Sequence, residues 1–187
     1  MPNNFELKEI ESIFYMYSVN CRLSDAEVRF FRAVFHLYTH NFLLEKHFIP
    51  VYNNNIGLEI MALSKYTILV AEYTPTDMLL LKILLKATHC HLLTTSNSIE
   101  TLELAKTKCP DLLLLDMNMP EINGIEIAER LRQDEKTKGI PILFMVNSGE
   151  YPILTAQGTL LNEKYYIEKP LAMKILVKRI QQRLAIE

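Results

Sequence analysis

Cysteine is scarce in this chain of 187 residues: Cys21, Cys90 and Cys109 are an odd number, and none of them stands at CxxC spacing. That pattern argues against a disulfide framework and suits reduced thiols in a cytoplasm, where all three are expected to be buried fillers. An excess of one charge is also missing. Twenty Lys and Arg face 22 Asp and Glu, giving a formal net charge of −2. With no cluster of basic residues interleaved with aromatics, no nucleic-acid partner is expected. No uncharged apolar run reaches about 18 residues, so no membrane span is expected. Nor does a basic-then-apolar leader precede a small-residue cleavage site, and a cytoplasmic location follows as the expectation. Internal repeats and low-complexity tracts are absent. What is present is apolar: 49% of the residues are hydrophobic, and the length allows one well-buried domain plus a smaller appendage.

The chain is organised around Pro110 to Pro120, PDLLLLDMNMP. Leu112 to Leu115 are apolar at consecutive positions. That suits a strand buried on both faces of a parallel sheet, although periodicity alone leaves a short buried helix open. Asp116 stands at the C-terminal edge of this run. In an open α/β sheet the crevice beyond the carboxyl ends of the strands takes ligands, but an aspartate at that place also suits a loop cap.

The neighbouring segments repeat the pattern. Tyr66 to Glu72 is a second apolar strand ending in an acid, and Pro75 followed by MLLLKILLK from Met78 reads as the helix returning from it. His89 to Thr95 is a third strand. Ser98, followed by Thr101 and Glu103, opens an amphipathic helix to Thr107 with a capping signature. A loop then reaches Gly124, IEIAERLRQ forms a helix, Pro141 to Val146 is a fourth strand and Tyr165 to Glu168 a short fifth. Leu171 to Ala185 closes the chain as an amphipathic helix with Lys174, Lys178, Arg179 and Arg183 on its wet side. Strands alternating with helices predict an α/β fold with a doubly wound, five-stranded parallel sheet, preceded by a small α-helical segment.

Three of these segments resemble the receiver domain of two-component response regulators. ILVAEYTPTD from Ile68 to Asp77 resembles that family's first strand with its acidic pair, LLLLDMNMPEINGIE its phosphoacceptor strand and loop, and YIEKP its final strand with the lysine-proline turn. The resemblance spans residues 65–187 and implies a flavodoxin-like receiver. It implies further that Asp116 is the phosphoacceptor, that Lys169 contacts the phosphoryl group and that Pro170 fixes the turn aiming it. Glu72, Asp116 and the backbone carbonyl of Asn118 are then the expected holders of Mg²⁺. The chemistry is coherent: an ionised carboxylate can take a phosphoryl group from phosphohistidine if cations neutralise the equatorial oxygens.

Two positions depart from the family pattern. Tyr73 stands where the second acid of the first strand coordinates Mg²⁺, and a neutral phenol is a poor ligand for that cation, so weak Mg²⁺ binding or none is expected. Tyr73 is expected to pack over the pocket mouth. Val146 stands where a threonine or serine hydroxyl moves toward the phosphoryl group, and it has no hydrogen bond to donate; Asn147 or Ser148 substitutes only if the strand end slips. Its switch partner, the aromatic Tyr166, is present. Pro152 and Gly158 predict a short, shifted or irregular helix over 147–161. Two readings stand: a phosphoryl-accepting receiver, or a pseudo-receiver acting as a phosphorylation-independent interaction module. Both are signalling modules and not enzymes, since an aspartate-nucleophile hydrolase needs more acids around the pocket. The expected partner is a sensor histidine kinase or another signalling protein.

Residues 1–64 lie outside the resemblance. Phe5 to Tyr17 places apolar residues on one helical face, and Ser24 to Glu27 is a capping box opening a helix toward Lys46 that is apolar around much of its circumference. Such a helix needs cover, so a homodimer through these helices or docking to a partner is expected. Basic and amide side chains that would make it a DNA reader are lacking. His36, His40 and His47 share a face, and a structural role suits them better than metal binding. No effector segment follows Glu187, so output by protein contact is expected.

Overall fold

The computed structural model describes residues 63–149, 162–169 and 171–185. The helical extension expected over 1–64, with its histidines and Cys21, falls outside them apart from Leu63 and Ser64, and so does most of the irregular helix expected over 147–161. Five strands are present: β1 Thr67–Ala71, β2 His91–Thr95, β3 Leu112–Asp116, β4 Ile142–Val146 and β5 Tyr166–Glu168. The helices among them are α1 Pro75–Lys86, α2 Ser98–Lys108, α3 Gly124–Gln133 and α4 Met173–Leu184, with one 3-10 turn at Glu163–Tyr165. All strand pairs are parallel, in the order β2-β1-β3-β4-β5. This is the expected doubly wound, flavodoxin-like α/β sheet.

The leucine run resolves as strand. Every residue of β3 is buried, as is every residue of β4, because a central parallel strand is covered on both faces. Leu69, Leu113, Leu115, Ile142 and Phe144 meet Ala105 of α2 and Ile127 and Leu131 of α3 on one side. The alternate residues Ile68, Val70, Leu112, Leu114 and Leu143 are fully buried on the other, where α1 contributes Leu81 and Leu84 and α4 contributes Leu176 and Ile180. Full burial of each such leucine is worth about 1.5–3 kcal/mol, which fixes the register against slippage.

Several local expectations are corrected. β2 begins at His91 rather than His89, because His89 takes a left-handed conformation (φ 56°) in the turn after α1. Asn97, not Ser98, caps α2: its side chain accepts from Glu100 N at 2.8 Å. Ser98 is buried and spends its hydroxyl elsewhere. Cys109 is exposed at the left-handed end of α2 rather than buried, and Cys90 is half-buried. Of the basic residues on α4, Arg183 turns back onto the fold, donating to Ile142 O at 3.2 Å and lying 4.7 Å over the Tyr165 ring.

The order of the strands locates the site. The chain moves outward from β1 to β2, then returns to place β3 on the other side of β1. The crevice at the carboxyl ends of β1 and β3 is therefore the topological switch point.

Candidate functional site

Glu72 follows β1 directly and is held at both ends. Its backbone N–H donates to Thr95 O at 3.1 Å, and Oε1 accepts from Thr74 N at 2.8 Å. The residue is fully buried. Asp116, the last residue of β3, is also buried, and its Oδ1 accepts from Asn118 N at 3.2 Å in a local turn. Lys169 follows β5. Its backbone N–H donates to Val146 O at 2.7 Å, which fixes where its side chain starts.

From that anchor the Lys169 ammonium enters the crevice and meets three carboxylates. Nζ lies 2.7 Å from Glu72 Oε2, 3.0 Å from Asp77 Oδ2 and 3.4 Å from Asp116 Oδ1. Burial pushes the Glu72 carboxyl up to about 7, against the hydrogen bond and charge of Lys169, and the nearby Asp116 adds to the rise. For Lys169, burial opposes the charged form, but the hydrogen bond and charge of Glu72 and the charges of Asp116 and Asp77 outweigh it and hold the ammonium above its ordinary range. One ammonium does not balance three carboxylates, so the pocket stays electronegative.

The loop after Asp116 is tied down from two sides. Gly124 N donates to Met117 O at 3.0 Å, and a Cβ on Gly124 would lie 2.5 Å from the carbonyl oxygen of Asp116, so only glycine fits there. The buried Ser98 hydroxyl donates to Pro120 O and, at 3.1 Å, to Ile122 O. The loop is thereby pinned to the start of α2.

The geometry brings Glu72, Asp116 and Lys169 together and adds Asp77, which the sequence alone does not single out. The signal was there: Pro75 at the first helical position puts Asp77 in the first turn of α1, beside the strand ends. Tyr73 is 56% exposed, so its ring stands largely in solvent instead of packing over the mouth. Val146 ends β4 fully buried, so the strand does not slip to place Asn147 or Ser148 there. Tyr166 is half-buried against the core. Asn118 is exposed, and Pro170 is outside the described residues. Carboxylate and carbonyl oxygens are hard donors and suit Mg²⁺ in kind. Among the described residues, however, no three acidic, histidine or cysteine side chains surround a common point for a metal. Lys169 takes the central place.

A family model described as the response regulator receiver domain matches residues 68–181, more than half of the chain. The chain belongs to this family. Among curated relatives, this receiver is 29% identical over 122 residues to the polar-differentiation response regulator DivK of Brucella anthropi, covering 63% of this chain and 95% of that protein. The same protein of Brucella ovis matches to the same extent. Among solved structures, a putative response regulator from Chloroflexus aurantiacus is 26% identical with a TM-score of 0.58, covering 64% of this chain and 98% of that chain. The receiver domain of the sensor histidine kinase PA1611 from Pseudomonas aeruginosa shares the fold at 18% identity and a TM-score of 0.57, covering 64% and 98%; that structure has a magnesium ion coordinated in its active site cleft. Among the described residues, no helix is long and apolar enough to cross a membrane.

Proposed function

We propose that this receiver accepts a phosphoryl group on Asp116 and signals through protein contacts. The observation that carries the reading is the Lys169 ammonium 3.4 Å from Asp116 Oδ1, at the buried carboxyl end of β3. An Asp116 oxygen attacks the phosphorus of a phosphohistidine donor as the P–N bond breaks, and the departing imidazole takes up a proton from water. Lys169 is a compact charge able to follow the developing charge on an equatorial oxygen. Glu72 and Asp116, with the carbonyl of Asn118, are the groups that would hold Mg²⁺, whose charge would neutralise the other equatorial oxygens. Exposed Tyr73 supplies no acid to that set, so the affinity is low. The donor is a sensor histidine kinase or another signalling protein. Residues 65–187 form the receiver, and residues 1–64, nearly all outside the described residues, dock a partner or a second copy.

A second reading, the phosphorylation-independent pseudo-receiver, is favoured by Tyr73 and Val146, which remove one acid and the switch hydroxyl. Labelling with radioactive acetyl phosphate separates the two. Label that is released by hydroxylamine, as an acyl phosphate requires, and that disappears in Asp116→Asn supports the acceptor. A folded protein that takes no label supports the interaction module.

A further inference from the structure

We propose that Asp77 is a positioning residue of the acceptor site, one that stands in for the acid absent at position 73. Tyr73 brings no charge to the crevice and is mostly in solvent. Four residues later, in the first turn of α1, Asp77 returns a carboxylate to the crevice, with Oδ2 3.0 Å from the Lys169 ammonium. An ammonium on a four-carbon stem has no directional preference of its own, so its acceptors decide where it rests. Glu72 and Asp77 supply the two shorter contacts, at 2.7 and 3.0 Å, while Asp116 lies at 3.4 Å. Glu72 is buried and holds the ammonium from within; the Asp77 side chain is 28% exposed and closes the outer side. Between them the lysine is held beside the acceptor without being drawn fully onto it. With Asp77 removed, the ammonium is left to Glu72 and Asp116, and its outer side opens to water.

The holding of Lys169 is independent of phosphoryl transfer; its effect on rate rests on the acceptor reading above. The test uses the full chain in wild type, Asp77→Asn and Asp77→Glu, metal-free for the lysine labelling and with Mg²⁺ for the adduct, each checked for folding by thermal denaturation. Brief acetic anhydride labelling is read by peptide mass spectrometry as Lys169 modification relative to the exposed Lys178. Asp77→Asn is expected to raise Lys169 labelling several-fold and to slow the Asp116-dependent adduct with acetyl phosphate and Mg²⁺ at least several-fold. Asp77→Glu, which keeps the charge, is expected to restore both. Unchanged Lys169 labelling in Asp77→Asn overturns the proposal, and so does raised labelling with an unchanged adduct rate. Raised labelling with no adduct in any variant, wild type included, overturns the phosphoryl-transfer reading and leaves Asp77 as the residue that holds Lys169.

Discussion

Lys169 and Glu72, 97 residues apart in sequence, form an ion pair of 2.7 Å in which the glutamate is fully buried and the lysine side chain is 10% exposed. Their strands are not neighbours. β5 and β1 are separated in the sheet by β4 and β3, so the lysine reaches across two strand ends to make the contact. Such a pair is costly to desolvate and costly to break, since either partner left alone is an uncompensated buried charge. Its place beside Asp116 therefore points to a role in the site rather than in stability.

Stability should depend on pH through Glu72. Its carboxyl is pushed up to about 7 in the fold from an ordinary 4.5, so the native state binds this proton more tightly than the unfolded chain. The resulting contribution is complete below about 4.5 and is lost as pH rises through about 7. Urea unfolding of the metal-free protein should show roughly 1 kcal/mol less stability at pH 8 than at pH 6 from this group. Glu72→Gln should flatten that difference, and an unchanged slope in the variant would assign it to other groups.

Gly124→Ala should injure both the fold and the site. The new methyl would meet backbone, the Asp116 carbonyl oxygen at 2.5 Å, which cannot swing aside as a flexible side chain would. Overpacking of this kind costs about 1–3 kcal/mol, and the displacement falls on the residue bearing the acceptor carboxylate. Chemical denaturation measures the first effect and the rate of adduct formation on Asp116 the second; a neutral result in both contradicts the close approach.

Ser98→Ala should cost about 1–2 kcal/mol, because the carbonyls of Pro120 and Ile122 lose their buried donor. The cap of α2 should survive, since it belongs to Asn97. Hydrogen exchange distinguishes the two roles: faster exchange confined to the loop after Asp116 is expected, whereas fraying at the start of α2 would restore Ser98 as the cap.

Most of the fold was legible because strand and helix periods alternate along the chain, and a run such as Leu112 to Leu115 admits few environments. Asp116, Glu72 and Lys169 were legible because each closes an apolar strand or precedes a proline. Asp77 was harder to see. Its meaning depends on a lysine 92 positions later, and only the sheet order brings the two together. Ser98 misled because serine is a good cap, and nothing local shows that its hydroxyl is needed by carbonyls more than twenty residues away. Gly124 reads in the sequence as the end of a loop, but its close approach to Asp116 is a tertiary fact. The reach of Arg183 to Ile142 is another, since amphipathicity alone puts it on the wet face.

Tyr73→Asp should tighten Mg²⁺. A carboxylate at that position adds a hard oxygen donor to a set holding Glu72 and Asp116, and one such ligand on a cation this demanding should improve affinity about tenfold or more. Isothermal titration of both proteins with Mg²⁺ reads the change. Equal affinities would mean that position 73 faces away from the cation even when it carries an acid.

Intact-mass spectrometry after incubation with acetyl phosphate and Mg²⁺ reads directly whether Asp116 accepts a phosphoryl group. An adduct of about 80 Da, the mass of one phosphoryl group, is expected, absent in Asp116→Asn and formed slowly because the site lacks an acid at position 73. No adduct at high donor and metal, in protein shown to be folded, would contradict the acceptor reading and leave the phosphorylation-independent interaction module.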